Sequence, residues 1–203
     1  VSILPIDEKN RNGFIILLSE KSAVKKVKII EFLDLQRVMS NGILATNLYD
    51  DDTIVDVDFA NSEDDTLVVT TKQGYAVKTS VGQFDDSLRP SKGRKLIKMK
   101  NPQNCVSLNI IDSKLSENAL LLFITKNGVG KFVNIVDLLF REKEVGAGAA
   151  NLAIKLDSET DTALKTQVVY GNASIIINTK NGKMININEE QIRTVKRVAK
   201  VLD

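Results

Sequence analysis

Hydrophobic and polar positions repeat along the chain. Four short apolar runs each end in a polar turn: Phe14-Ile-Ile-Leu-Leu-Ser-Glu-Lys-Ser22, Leu67-Val-Val-Thr-Thr-Lys-Gln-Gly74, Leu121-Leu-Phe-Ile-Thr-Lys-Asn-Gly128 and Ser174-Ile-Ile-Ile-Asn-Thr-Lys-Asn-Gly182. Runs this short, bounded by turn residues, read as strands. The turn positions Ser22, Gly74, Gly128 and Gly182 lie 52, 54 and 54 residues apart. So regular a spacing marks a repeat architecture. Three of the turns end in Gln-Gly or Asn-Gly, which tolerate the positive φ of a tight hairpin. Ser22 stands where the others have glycine, so the first turn is expected to be of another type.

A second strand follows each turn. In Tyr75-Ala-Val-Lys-Thr-Ser-Val81, the residues Tyr75, Val77 and Val81 fall on one face, and Ala76, Lys78 and Ser80 on the other. A period of two marks a half-buried strand. Val24, Lys25, Lys26, Val27 and Lys28 take this place in the first unit, and Lys131 and Phe132 in the third. After a loop comes a third pattern: Asn41-Gly-Ile-Leu-Ala-Thr-Asn-Leu48, Lys92-Gly-Arg-Lys-Leu-Ile-Lys-Met99 and Ala149-Ala-Asn-Leu-Ala-Ile-Lys-Leu156. Acids or turn formers follow, then a fourth run: Ile54-Val-Asp-Val57, Cys105-Val-Ser-Leu108 and Ala163-Leu-Lys-Thr-Gln-Val168. The opening Val1-Ser-Ile-Leu4 matches this fourth run, belonging to an earlier unit or opening the first.

The pattern therefore predicts an all-β, propeller-like domain of about four four-stranded units of roughly 50 residues each. Residues 1–203 form one domain on this reading, with units near 1–53, 54–104, 105–162 and 163–203. The last unit stops before its fourth strand. Either the N-terminal run fills that place and closes a ring, or the chain is a fragment; the missing initiator Met points to a piece of a longer protein. Helical periodicity is weak, with room for a turn or two at 136–144 and 189–198.

Composition narrows the chemistry. Hydrophobic residues make up 43% and charged residues 27%, an ordinary globular balance. No apolar run reaches membrane-spanning length, and the opening residues lack a signal-peptide pattern. The single cysteine, Cys105, cannot form an internal disulfide. Together these point to the cytoplasm. Cys105 sits in an apolar run and reads as a small buried hydrophobe. There is no histidine, so the commonest metal ligand and general base is missing, and one cysteine cannot build a structural zinc site. Net charge is only +2, but it is segregated. Residues 50–65 carry eight acids and no base, and residues 87–100 carry six bases and no acid. A fold that gathers the basic segments creates a surface of one sign.

Several local patterns do not hold up. Gly128-Val-Gly-Lys131 lacks the upstream glycine and the hydroxyl after lysine that a phosphate loop needs. Gly146-Ala-Gly-Ala-Ala-Asn151 lacks the third glycine and the βαβ setting of a dinucleotide site. Asp50-Asp51-Asp52 lacks the central glycine and flanking helices of a calcium loop. No nucleophile or base stands with the acids in a recognisable arrangement, so no catalytic and no metal-binding residues are assigned.

Taken together, the repeated motifs resemble the units of the C-terminal domain of type IIA topoisomerase A subunits, those of DNA gyrase and topoisomerase IV. Those units run as an apolar strand, Thr-Lys-x-Gly-x-x-Lys-Arg-Thr, a loop, Gly-Val-x-Ala-Ile-x-Leu, an acidic turn and Leu-Val-x-Val. The matching stretches here are Thr71-Lys-Gln-Gly-Tyr-Ala-Val-Lys-Thr79, Thr125-Lys-Asn-Gly-Val-Gly-Lys131, Asn41-Gly-Ile-Leu-Ala-Thr-Asn-Leu48, Leu152-Ala-Ile-Lys-Leu156 and Thr53-Ile-Val-Asp-Val57. The resemblance covers essentially the whole chain. It implies a β-pinwheel whose blades exchange strands and whose basic rim binds and bends double-stranded DNA without sequence preference. The residues it marks for phosphate contact are Lys25, Lys26, Lys78, Arg89, Lys92, Arg94, Lys95, Lys131, Lys196 and Arg197. It also implies that breakage and rejoining of DNA, ATP and Mg2+ belong to other parts of an A2B2 holoenzyme. This domain is expected to need no cofactor, small-molecule substrate or membrane, and to associate with the nucleoid.

Gyrase domains of this family carry a box rich in Gln, Arg and Gly. None of the loops Leu35-Gln-Arg-Val-Met-Ser-Asn41, Ser87-Leu-Arg-Pro-Ser-Lys-Gly93, Arg141-Glu-Lys-Glu-Val-Gly146 and Arg193-Thr-Val-Lys-Arg197 shows it, which favours topoisomerase IV over gyrase. The rival readings are a propeller that binds protein, its basic rim incidental, and a structural repeat within an unrelated enzyme. A low aromatic content of 5% speaks against stacking on single strands.

Overall fold

The computed structural model describes residues 3–8, 10–33, 42–98, 104–141 and 150–195. Its strands are β1 (Phe14–Ser19), β2 (Ala23–Lys28), β3 (Ile54–Ala60), β4 (Thr66–Thr71), β5 (Tyr75–Ser80), β6 (Arg94–Lys95), β7 (Cys105–Ile111), β8 (Ala119–Thr125), β9 (Gly130–Asn134), β10 (Asn151–Leu152), β11 (Ala163–Tyr170), β12 (Ser174–Asn178), β13 (Met184–Asn188) and β14 (Thr194–Val195). Among the described residues, helix is confined to one α-turn at Ile30–Leu33 and short 3-10 turns; Glu189–Gln191 falls where the sequence left room, and Ile135–Asp137 overlaps the start of the other such stretch. No helix among the described residues is long and apolar enough to cross a membrane.

The four repeats are antiparallel hairpins: β1–β2, β4–β5, β8–β9 and β12–β13. Their turns share one geometry. Ser22, Gly74, Gly128 and Gly182 have φ of 69°, 82°, 81° and 76°, and each N–H donates to the carbonyl three residues back. The first turn is therefore not of another type. Ser22 enters the left-handed region, and its hydroxyl donates to the Ile97 carbonyl (3.1 Å) and accepts from Ile97 N–H (3.3 Å). Those two bonds offset a cost that glycine avoids.

Each complete sheet draws on two successive units. The orders are β3-β1-β2-β6, β10-β5-β4-β7 and β11-β8-β9-β14. A hairpin thus receives the strand that opens the next unit on one edge and a short strand from that unit's later loop on the other. This is the strand exchange of a β-pinwheel. The third motifs of the second and third units, through Arg94–Lys95 and Asn151–Leu152, complete the preceding sheet, not their own.

Strands β3, β7 and β11 lie side by side at the hub. Because neighbouring sheets meet there without a backbone ladder, side chains supply the bonds. Leu108 N–H donates to Asp56 Oδ2 (2.9 Å), Ile110 N–H to Asp58 Oδ2 (3.0 Å) and Thr166 N–H to Ser107 Oγ (3.0 Å). Apolar faces pack between sheets: Ile16, Leu18, Leu67, Val69 and Leu96 between the first two, and Val68, Leu121, Phe123 and Ile154 between the second and third. Burying such side chains contributes roughly 1.5–3 kcal/mol each. Cys105 lies in the first of these layers, as its apolar run predicts. Burial pushes its thiol up to about 12, so it is inert at neutral pH.

Candidate nucleic-acid interface

The basic residues singled out by sequence divide into two groups. The first turns inward. Lys25 and Lys26, on β2, are each only 2% exposed. The Lys25 ammonium donates to the carbonyls of Ala45 (2.9 Å) and Ser91 (2.8 Å), and burial holds its pKa below the usual lysine value. Lys26 pairs with Glu63 (2.7 Å) and Asp86 (3.0 Å) and lies 4.7 Å from the centre of the Phe14 ring. Asp86 belongs to the loop that leads into β6. Burial pushes its carboxyl up, but hydrogen bonds from Lys28 and Lys26 outweigh that and hold it below the ordinary range. Lys78 donates to the Ile135 carbonyl (2.8 Å) beside the Phe140 ring, and its pKa is lowered by burial. Lys131 is bonded to the Lys155 carbonyl and to Asp157. All four ammonium groups fasten segments crossing over their own hairpins.

The registers refine the expected recurrence. Lys26 pairs across its hairpin with Ile16, and Lys78 with Val68, so these two are equivalent. Lys131 pairs with Phe123 and is the counterpart of Lys25.

The second group faces solvent on the outer edge of the first sheet. Strand β6 pairs with the start of β2 through Ala23↔Lys95 and Val24↔Arg94, leaving its other edge open. Lys92, Arg94, Lys95 and Lys98 are exposed along this segment. Lys92 and Lys95 flank one ring, with ammonium groups 4.8 and 5.1 Å from the centre of Tyr49. The Tyr49 hydroxyl donates to the Gly93 carbonyl (3.1 Å) between them. The ring thus holds two cations at a fixed separation by cation–π attraction. Arg94 meets Asp85 at 3.2 Å, both largely exposed, a pairing worth less than about 1 kcal/mol and easily exchanged for a phosphate. Among the described residues Lys92, Lys95 and Lys98 make no ion pair. Arg89 is more enclosed, lying 3.9 Å from Glu31 and 5.3 Å from the Phe32 ring. Lys196 and Arg197 lie outside the described residues.

Sequence reasoning missed Tyr49 and Lys98. Tyr49 belongs to the preceding unit and reaches this edge only through the fold; Lys98 was visible in the basic run. The outer edge of the second sheet differs. There Asn151 and Leu152 pair with Ala76 and Tyr75, in the positions of Arg94 and Lys95. The basic edge thus belongs to the first sheet.

Comparison with known proteins follows the same lines. A family described as "DNA gyrase C-terminal domain, beta-propeller" matches residues 65–112 and 173–200. The DNA gyrase A subunit of Buchnera aphidicola is 29% identical over 184 residues, covering 91% of this chain and 20% of that protein. Its counterpart in Kosmotoga olearia is 27% identical over 194 residues, covering 95% and 23%. The chain therefore spans about a fifth of the length of these curated relatives. A solved C-terminal domain of DNA topoisomerase IV superposes with a TM-score of 0.79 at 22% identity, over 98% of this chain and 60% of that one. A DNA gyrase A C-terminal domain gives 0.72 at 20% identity, over 93% and 58%. The chain thus has the β-pinwheel fold of the solved C-terminal domains of DNA topoisomerase IV and DNA gyrase A, and along most of its length it is similar in sequence to DNA gyrase A subunits.

Proposed function

We infer that this chain binds duplex DNA through its phosphates, without reading sequence, and bends it toward the strand-passage machinery of a type II topoisomerase. The observation that carries the reading is the exposed edge of the first sheet, where Lys92, Arg94, Lys95 and Lys98 stand together around Tyr49. Each ammonium or guanidinium that meets a phosphate releases counterions, the usual source of sequence-independent affinity. The inward lysines serve this reading indirectly, by fixing the loop and strand that present the edge. The domain itself needs no cofactor. ATP and Mg2+ act elsewhere in an A2B2 assembly of A and B subunits in the bacterial cytoplasm, near the nucleoid. Residues 1–203 act as one pinwheel domain.

Within that role we favour topoisomerase IV, an enzyme of decatenation and relaxation. The loop compositions support this, since none carries the Gln-, Arg- and Gly-rich box of gyrase. The gyrase reading has its own support in the relatives, which are A subunits of DNA gyrase.

Titration of labelled duplex DNA at low salt tests the binding itself. Saturable binding at micromolar protein is expected, equal for unrelated sequences. No binding at that concentration would leave the protein-binding propeller as the better account. Fusing the chain to a catalytic A-subunit core then separates decatenation from negative supercoiling.

A further inference from the structure

The tyrosine at the basic edge is itself held in place. Residues 45–49 run beside 90–92 of the next unit. Asn47 N–H donates to the Pro90 carbonyl (2.9 Å), and Asn47 bridges Lys92 in parallel register. The Thr46 hydroxyl donates to the Ser91 carbonyl (3.2 Å), which also accepts from the buried Lys25 ammonium. On the far side, Asp52 N–H donates to the Tyr49 carbonyl (3.2 Å). The Asp52 carboxylate is buried, accepting from the Ser19 hydroxyl (2.7 Å) and from Lys21 N–H (3.0 Å). Tyr49 thus stands on backbone fixed from both directions. It is half-buried, while Lys92 and Lys95 beside its ring are exposed.

The repeat shows what else this position can hold. Leu48-Tyr49 matches Leu156-Asp157 at the end of the third motif. Asp157 pairs with Lys131 of its own hairpin. Lys25, the counterpart of Lys131, takes the Ala45 and Ser91 carbonyls instead. Position 49 is therefore released from that ion pair, and its aromatic ring serves the next unit. The ammonium groups of Lys92 and Lys95 lie 4.8 and 5.1 Å from the ring centre. The hydroxyl donates to the Gly93 carbonyl (3.1 Å), which sets the tilt of the ring against that strand.

We propose that Tyr49 is a positioning residue for DNA, acting through Lys92 and Lys95. This rests on the DNA reading above and adds a residue to its site. A lysine on a flexible stem loses rotamer freedom when it meets a phosphate. Cation–π attraction to a fixed ring removes part of that freedom beforehand. Sharing one ring also keeps the two ammonium groups within about 10 Å of each other. Neighbouring phosphates of one strand, about 3.4 Å apart along the helix axis, fall within that span. The ring thus raises affinity without adding a phosphate contact of its own.

Anisotropy titrations of a labelled duplex test this with Tyr49→Leu and Tyr49→Phe, each checked for folding by circular dichroism. Tyr49→Leu is expected to weaken binding about five- to twentyfold, with the slope of log K against log salt unchanged because both ammonium groups still reach phosphates. Tyr49→Phe keeps the ring and recovers most of the affinity. In a Lys92→Gln, Lys95→Gln background, Tyr49→Leu should change affinity by less than about twofold. An equal loss in that background would show that the ring acts through the fold, and would overturn the proposal. So would unchanged or tighter binding by Tyr49→Leu, or no recovery with Tyr49→Phe. These results leave the DNA reading standing, whereas no binding by the unaltered chain overturns both. Proton NMR without DNA gives a separate check: the methylene protons beside the Lys92 and Lys95 ammonium groups should be ring-shifted upfield in the Tyr and Phe proteins and not in the Leu variant. No such shift in the unaltered chain overturns the proposal whatever the DNA result.

Discussion

Replacing Lys92, Arg94 and Lys95 together by glutamine tests the DNA interface most directly. All three side chains are exposed on or beside a strand that pairs through backbone only, so the fold should tolerate the change. Asp85 loses one exposed partner, a cost of at most about 1 kcal/mol. The electrostatic effect is larger. For duplex DNA each phosphate contact contributes about 0.9 to the slope of log K against log salt, so losing three lowers it by about 2.7. Between 50 and 200 mM salt the unaltered domain should therefore lose about 40-fold more affinity than the variant does. Fluorescence anisotropy with a labelled duplex at several salt concentrations measures both slopes. Weaker binding with an unchanged slope would show that these residues do not meet phosphates, and the interface would have to be sought elsewhere. Lys25→Gln serves as the control, since its ammonium is committed to two carbonyls; it should alter stability and leave the slope alone.

Three further expectations concern the scaffold. Lys26→Met leaves Glu63 and Asp86 facing each other without their shared cation; with both acids partly exposed, urea unfolding should show a loss of about 1–3 kcal/mol, and a loss below the error of the method would show that the pairing contributes nothing. Gly74→Ala and Gly182→Ala both place a side chain at positive φ, at roughly 1–2 kcal/mol, but at Gly74 the new carbon would also meet the Ile154 carbonyl oxygen at 2.7 Å, while at Gly182 nothing lies within 4 Å. The first should therefore lower the melting temperature clearly more than the second; equal shifts would argue that the exchanged strand does not press on the turn. Asp58→Asn concerns pH. Burial raises the Asp58 carboxyl above the ordinary range, against hydrogen bonds from Ile110 and Phe59. A raised folded-state pKa favours the fold below the unfolded value of about 4, and that contribution is lost as pH rises through the folded value. The asparagine variant should thus gain stability relative to the parent as pH rises through that interval. Asn109, at the equivalent place in β7, shows that the amide fits; a difference independent of pH would rule out the buried charge as the cause.

The hairpins were legible because their causes are local. Apolar runs, turn residues and a period near 54 identify four of them, and their turn geometry follows, even at Ser22, where a hydroxyl bonded to Ile97 replaces the freedom of glycine. The exchange was not legible from composition or periodicity and entered only through the family resemblance. A two-residue strand such as β6 has no periodicity to detect, and its partner lies about 70 residues earlier in the chain.

That hidden exchange also explains why the candidate interface was only half readable. Alternation along β2 and β5 separates the two faces of a strand. It does not reveal whether a segment from the next unit lies across one of them. Lys26 and Lys78 read as rim cations for that reason, yet each is covered by the loop that carries the next outer strand, which runs beside it at Asp86 and Phe140. A signal did exist for Lys26. Glu63 and the Asp85-Asp86 pair are acids set close to the exchanged segment, and a buried lysine needs such partners. For Lys78 the corresponding position is Phe140, an aromatic ring where Lys26 has a carboxylate. The repeats therefore share one lock built from two chemistries, an ion pair in the first sheet and a ring with a carbonyl in the second. If the lock were incidental, there would be no reason for the cation to persist where its carboxylate has gone. Its persistence indicates that the long side chain is kept for its reach across the hairpin; in the first sheet the exposed cations Arg94 and Lys95 lie on the strand being held.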